Sequence, residues 1–155
     1  MSKSRSLSFL LKVSLFALIL SAIPLPSVLS DVAPFWLLLF YTYWLIYFSS
    51  KGRLIIALLL GIVLDVLHGD ILGQNGLALV LSSAFIIYVK QSFSVSNTST
   101  QQVYVFGASL IYLSTLLAVH LLTQGFNLSY WILVAPLVSA LIWPVVYWLL
   151  SKCRH

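Results

Sequence analysis

Six apolar runs follow one another along this chain, and they limit what it can fold into more than any other feature. Each run consists mainly of aliphatic and aromatic residues, and short polar segments separate the runs. The runs cover residues 9–23, 32–48, 54–67, 71–89, 103–122 and 128–150. Because a helix needs roughly 20 apolar residues to cross about 30 Å of hydrocarbon, the runs predict an all-α protein with six transmembrane helices in one integral membrane domain over residues 1–155.

The composition excludes a soluble globular enzyme. Only 7% of the residues are charged and 61% are hydrophobic, whereas soluble domains are about 25% charged and 45–50% apolar. The mean hydropathy is +1.08. So few charged side chains cannot cover a water-exposed surface, and the chain is therefore interpreted as an integral membrane protein.

The third and fourth runs are separated only by the tripeptide His-Gly-Asp at residues 68–70. As one helix, residues 54–89 would be about 54 Å long, far longer than a bilayer requires. We therefore predict two spans with a break at the tripeptide. The longest polar loop is predicted at residues 90–102, where Ser, Thr and Gln are frequent.

The positions of the basic residues predict the orientation of the chain. Eight Lys and Arg oppose three acidic residues, which gives a net charge of +5. With six spans and a cytoplasmic N-terminus, all eight lie on the cytoplasmic side, as basic residues of membrane proteins usually do. Five spans would place Lys90, Lys152 and Arg154 outside. We therefore predict a multi-pass membrane protein with both termini in the cytoplasm.

This distribution also explains the basic charge without a nucleic-acid partner, and it leaves the lipid bilayer as the surroundings of the chain.

One alternative concerns the first run, which could be a cleaved signal peptide. Lys3, Arg5 and Lys12 precede apolar residues, and Val28-Leu29-Ser30 resembles the cleavage site of a signal peptide. Against cleavage, Pro24 and Pro26 suit an external loop, and the first run can span with help from Phe9 to Leu11, so we predict that the first span is retained.

The main candidate for a functional residue is Asp65. Together with Gly61, Gly69 and Gly73 it recurs at every fourth position, so these residues share one face wherever the segment is helical. Small residues at this spacing let another helix approach closely. An ionised Asp within a span costs roughly 2.5–3.5 kcal/mol on insertion scales and usually faces a partner or a cavity. The alternative is a structural role, in which Asp65 accepts hydrogen bonds from backbone N–H groups around residues 69–76.

Two further segments are candidates for helix packing or partner binding. Pro34 and Trp36 lie in the first turns of the second run, and Trp44 follows two turns later. In the last run, Trp143 precedes Pro144, which removes a backbone donor and tends to kink a helix. Packing within the core is one interpretation of this pair, and a docking surface for another membrane helix is the other.

The sequence has no motif that indicates catalysis or metal binding. It lacks a His-Glu-x-x-His motif, a nucleophile elbow and a phosphate-binding glycine-rich loop. The three histidines do not have the spacing of metal ligands, and Cys153, the single cysteine, cannot form an intrachain disulfide. We therefore predict a protein that is not an enzyme and has no catalytic residues, no metal and no cofactor.

The candidate segments together resemble the MreD family of rod shape-determining membrane proteins, and the resemblance covers nearly the whole chain. The matching residues are Gly61-x-x-x-Asp65-x-x-x-Gly69-x-x-Leu72-Gly73 followed by Leu77-Ala78, then Pro34-x-Trp36 with Tyr43-Trp44, and Trp143-Pro144 before a short basic tail. Their order, their spacing and their positions in a chain of this length make the match fairly specific.

The resemblance implies a non-enzymatic scaffold subunit of the bacterial cell-elongation complex, which supports lateral peptidoglycan synthesis and so maintains rod shape. It implies an MreC-like partner and association with an MreB-like protein, a RodA-like polymerase and the transpeptidase partner of that polymerase. It also implies a likeness to the six-helix S-components of ECF transporters. An alternative function is therefore a solute-binding transporter subunit, for which Asp65, His68, Gln74 and Asn75 form the concentrated polar set.

Overall fold

The computed structural model describes residues 3–22, 35–47, 53–68, 72–123 and 133–154. Within these ranges the chain forms six α-helices, each of which overlaps one predicted apolar run. They are α1 (Lys3–Ala22), α2 (Trp36–Tyr47), α3 (Arg53–His68), α4 (Gln74–Val95), α5 (Thr98–Thr123) and α6 (Ala135–Arg154). The predicted all-α class is therefore confirmed.

Three of the helices, α4, α5 and α6, are long and apolar enough to cross a membrane. The apolar parts of the other three are shorter than 18 residues. The long segments are Gln74–Phe93, Thr98–Thr123 and Ala135–Lys152, and the short ones are Leu7–Ser21, Trp36–Ile46 and Leu54–Leu67. The six-span topology accordingly stays a prediction.

Helix α2 lies at the centre of the bundle. Every residue from 37 to 46 is buried, and α2 packs against α1, α4 and α6. A helix that is apolar on all sides is buried among other helices. The aromatic rings of α2 provide much of its contact with these neighbours. The Phe40 ring lies 5.7 Å from the Phe16 ring of α1, and the Tyr43 ring lies 5.9 Å from the Tyr147 ring of α6, both between centroids.

The outward faces of the peripheral helices are apolar. Exposed side chains include Leu15 on α1, Ile55 and Val66 on α3, and Leu141 and Val145 on α6. Soluble proteins rarely expose contiguous apolar surface on this scale. Lipid chains cover such a surface without cost, so the faces fit a bundle that lies in a bilayer.

The predicted division of residues 54–89 is confirmed, because α3 ends at His68 and α4 begins at Gln74. The two helices pack closely where their glycines meet. A Cβ atom added to Gly61 would lie 2.2 Å from the Cα atom of Gly76. Because any side chain at Gly61 would collide with backbone, glycine is required for this approach of α3 to α4.

The predicted polar loop at residues 90–102 is wrong. Helices α4 and α5 continue into this segment, and only Ser96 and Asn97 lie between them. Asn97 caps α5, since its Oδ1 accepts a hydrogen bond of 3.1 Å from the Thr100 N–H. Ser, Thr and Gln are only modestly weaker helix formers than Leu, so a polar composition alone does not end a helix.

Candidate functional site

Asp65 is fully buried in the last turn of α3 and bonds to the start of the next helix. Its Oδ2 accepts a hydrogen bond of 2.8 Å from the Gly73 N–H, and its Oδ1 accepts one of 3.0 Å from the Asn75 N–H. N–H groups at the start of a helix have no acceptor within that helix. Asp65 therefore caps the N-terminus of α4 from a neighbouring helix, next to the positive end of the α4 dipole.

Asn75 connects Asp65 to α5. Its side-chain Nδ2 donates a hydrogen bond of 2.6 Å to Asp65 Oδ1, and its Oδ1 accepts one of 2.5 Å from the Tyr112 hydroxyl. All three side chains are buried, where a polar group without a partner is costly. Asp65, Gly73, Asn75 and Tyr112 are called the Asp65 cluster below.

Phe35 links the Asp65 cluster to α2 and α6. Its ring lies 4.7 Å from the Tyr112 ring between centroids, and its N–H donates a hydrogen bond of 3.0 Å to Ser139 Oγ. Phe35 directly precedes α2, and Ser139 is buried on α6. Five helices, α2 to α6, are thus joined through one continuous set of contacts.

The glycine pattern around Asp65 serves two purposes. Gly61 and Asp65 lie one turn apart on α3, both buried. Gly73 lies beyond the end of α3, where its φ of +92° is in the left-handed region that favours glycine. The fourth member of the pattern, Gly69, lies outside the described residues. The spacing of four therefore places Gly61 and Asp65 on one helical face and Gly73 in the following turn.

A second polar cluster surrounds Trp143 and Pro144 on α6. Because proline has no N–H, the carbonyl of Ala140 four residues earlier lacks its helical donor. Gln102 of α5 donates its Nε2 to that carbonyl at 3.1 Å. The adjacent Gln101 accepts a hydrogen bond of 3.2 Å from Trp143 Nε1 on its Oε1. These four side chains, Gln101, Gln102, Trp143 and Pro144, are called the Trp143 cluster below.

Gln101 also ties the Trp143 cluster to the end of α4. Its Nε2 donates to the Phe93 carbonyl at 3.3 Å and to the Ser96 carbonyl at 3.2 Å. The Phe93 ring meets the Trp143 ring edge-on, with 5.5 Å between centroids and an interplanar angle of 83°. Asn75 and Phe93 are 18 residues apart on α4, about 27 Å along the axis. The two clusters therefore fix opposite ends of α4.

The remaining candidate residues lie in different surroundings. Trp44 and Trp143 are fully buried, and both rings pack against other aromatic rings of this chain. Trp36 is half-buried and stacks on Phe40 at 6.5 Å. Pro34 lies outside the described residues. Partner binding by these side chains stays a prediction.

Sequence reasoning missed Tyr112, Gln101 and Gln102. Tyr112 has no distinctive spacing, and the two glutamines lie in the segment assigned to a loop. One observation could have indicated Gln102. A proline within a span leaves a carbonyl without its donor, and a membrane offers no water to satisfy it, so a polar side chain on a neighbouring span is required.

The chemistry of the two clusters is structural. Both oxygens of Asp65 already bond to Gly73 and Asn75. Within the described residues, no three His, Cys, Asp or Glu side chains come together as metal ligands would. What the arrangement can do is hold helices at fixed distances and angles in surroundings without water.

Comparison with known proteins identifies the family. The family model described as rod shape-determining protein MreD matches residues 3–153. The chain belongs to the MreD family. A curated relative, the rod shape-determining protein MreD of Haemophilus influenzae, is 29% identical over 150 residues, which cover 94% of this chain and 90% of the relative. No solved structure matches the chain.

Membership of the MreD family confirms the resemblance stated from the sequence, and it supports a role in rod shape determination. MreD proteins form a family of shape-determining proteins and not a known family of enzymes. The family, together with three helices that are long and apolar enough to span a bilayer, fits a membrane protein.

Proposed function

We propose that this MreD-family chain is a non-enzymatic scaffold of the bacterial cell-elongation complex in the cytoplasmic membrane. The observation that supports this function best is the Asp65 cluster, in which the polar groups of three helices bond to one another. A solute-binding subunit needs such groups open to its ligand, whereas here Asp65 and Asn75 are bonded to each other. A rigid bundle with apolar outer faces is suited to binding other membrane proteins.

The proposed partner is an MreC-like membrane protein. Through it the scaffold would associate with an MreB-like protein, a RodA-like polymerase and its transpeptidase partner, and so support lateral peptidoglycan synthesis. The described turn between α4 and α5 has only two residues, which gives a water-soluble partner little to bind there. We therefore place the contact with the MreC-like protein within the membrane.

The proposed topology has six spans with both termini in the cytoplasm. It places seven of the eight Lys and Arg in the cytoplasm and Lys12 in the cytoplasmic half of the first span, in agreement with the usual distribution of basic residues. The two-residue connection between α4 and α5 suits antiparallel neighbouring helices, which a serpentine path through the membrane requires.

Depletion of the protein in its host tests the function. We expect rod-shaped cells to become round and the incorporation of a fluorescent D-amino acid along the side wall to fall, and we expect the MreC-like protein to co-purify with a tagged copy. A matched control is the Gly107→Ala variant, which should restore rod shape, because the added Cβ would lie 3.4 Å from the Phe85 ring without meeting backbone. Normal rods after depletion would contradict the function, and rounding without co-purification would contradict only the partner.

A further inference from the structure

Lys12 is a charged residue on the apolar outer face of α1. It lies nine residues after the first residue of α1 and ten before the last. Its exposed neighbours Leu11, Leu15 and Ile19 are between 61% and 65% accessible, and Lys12 itself is exposed. A charge in the middle of a spanning helix costs roughly 2.5–3.5 kcal/mol on insertion scales, and such residues usually pair with an opposite charge.

The described part of the chain supplies no opposite charge for Lys12, which forms no hydrogen bond or ion pair there. The acidic side chain that the structure does describe, Asp65, is fully buried and bonded within its own cluster. The other two acids, Asp31 and Asp70, fall on the opposite side of the membrane from the start of α1 in the six-span topology. A second copy of this chain would offer the same acids, so the counter-charge has to come from a different molecule.

The position of Lys12 favours an acidic side chain over a lipid phosphate. Lysines that reach the phosphate layer lie near helix ends, whereas Lys12 is seven residues, about 10 Å, deeper than Arg5. The apolar side chains beside it recur every four residues at Leu11, Leu15 and Ile19. This spacing forms a stripe along α1 that a second helix can pack against.

We propose that α1 docks a transmembrane helix of another protein, and that an Asp or Glu of that helix pairs with Lys12. Leu11, Leu15 and Ile19 pack along the docked helix, while the ion pair fixes its position along α1. In surroundings of low dielectric constant, such a pair is much stronger than one at a water-exposed surface. The proposal rests on the proposed scaffold function and adds to it the docking surface and the chemistry of the partner.

Photocrosslinking in living cells tests this docking surface in the full-length protein. A photoreactive phenylalanine analogue replaces Leu15, and Lys12 is kept, changed to Arg or changed to Leu. We expect a crosslink to a transmembrane segment that contains Asp or Glu, identified by mass spectrometry. Its yield should fall at least fivefold in Lys12→Leu and persist in Lys12→Arg. Lys12→Leu adds an apolar side chain to a lipid-facing position, so membrane insertion is retained.

The control places the same analogue at Val145 on the outer face of α6, where Lys12→Leu should change nothing. Charge exchange completes the test, because Lys12→Glu should abolish the crosslink and a Lys in place of the partner's acid should restore it. An unchanged yield in Lys12→Leu, a crosslinked segment without an acid, or a phospholipid as the sole product would overturn the proposal. If depleted cells become round but one of these three crosslinking results is found, the proposed docking surface is wrong and the scaffold function still holds.

Discussion

Asp65 accepts three hydrogen bonds inside the bundle, and its removal leaves three donors without an acceptor. Each unsatisfied buried group costs about 1–3 kcal/mol, so Asp65→Ala should lower the free energy of unfolding by at least about 3 kcal/mol. Asp65→Asn keeps one acceptor oxygen and should cost less. Thermal unfolding in mild detergent measures both variants.

The matched control for Asp65→Ala is Leu141→Ala, which shortens a side chain on the outer face of α6. This variant should unfold within a degree or two of the parent, because it breaks no hydrogen bond and opens no cavity in the core. Equal unfolding temperatures for Asp65→Ala and Leu141→Ala would show that the cap on α4 contributes nothing.

Tyr112 and Asn75 should be energetically coupled. Tyr112→Phe removes the hydroxyl that donates to Asn75 Oδ1 and keeps the ring against Phe35. We expect a loss of about 1 kcal/mol in the parent and a smaller loss in an Asn75→Ala background. Detergent unfolding of the parent, the two single variants and the double variant gives the coupling energy, and strictly additive losses would contradict the hydrogen bond.

The sequence identified Asp65 but not Tyr112, the member of the Asp65 cluster that is most distant along the chain. Asp65 is recognisable because an acid within an apolar run is rare, and the N–H donors at Gly73 and Asn75 fall within the range 69–76 named beforehand. Tyr112 is 37 residues from Asn75, and nothing along the chain relates the two. Their contact depends on how α4 and α5 pack, which apolar periodicity does not define.

At the scale of helix pairs, the contact of α3 with α4 depends on Gly61. Gly61→Ala should be strongly destabilising, because its Cβ would lie 2.2 Å from the Gly76 backbone and the helices would have to separate. Overpacking typically costs about 1–3 kcal/mol, and a clash with backbone belongs at the upper end. Gly107→Ala, with its Cβ 3.4 Å from a side-chain ring, is the matched control. Similar unfolding temperatures for the two variants in detergent would contradict the close approach.

Pro144 within α6 gives a second test at this scale. Gln102→Leu leaves the Ala140 carbonyl without a donor and should cost about 1 kcal/mol. In a Pro144→Ala background, the new N–H of residue 144 can bond to that carbonyl, so the same Gln102→Leu change should cost markedly less. The four unfolding free energies measure this difference. An equal cost in both backgrounds would show that Gln102 does not replace the missing donor.

The apolar runs predict the existence of each helix more accurately than they predict its ends. Every run overlaps one helix, because sustained apolar content has to be covered by protein or lipid. The ends depend on caps and close contacts that composition does not reveal. Asn97 and Gln101 allow α4 and α5 to continue through residues 90–102 by bonding their terminal backbone groups, whereas the same polar residues indicated a loop.

For the whole molecule, the charges and the fold give complementary information. The basic residues predict which side of the bundle faces the cytoplasm. The contacts between helices show which helices are neighbours in the bundle. Among the described helices, α4, α5 and α6 are long enough to cross by themselves, which is compatible with both five and six spans. The two topologies nevertheless place the connection between α4 and α5 on opposite sides of the membrane.

Cysteine labelling distinguishes these topologies. In a Cys153→Ser background, Asn97→Cys probes the connection between α4 and α5, and Gln124→Cys probes the segment after α5. With six spans, a membrane-impermeant maleimide added to intact spheroplasts should label Gln124→Cys at once and Asn97→Cys only after permeabilisation. In the unmodified protein, Cys153 should be labelled like Asn97→Cys, only after permeabilisation, since both positions are cytoplasmic with six spans. Five spans reverse all three results. With one crossing fewer before residue 97, the connection between α4 and α5 and the C-terminus lie outside, and residue 124 lies inside.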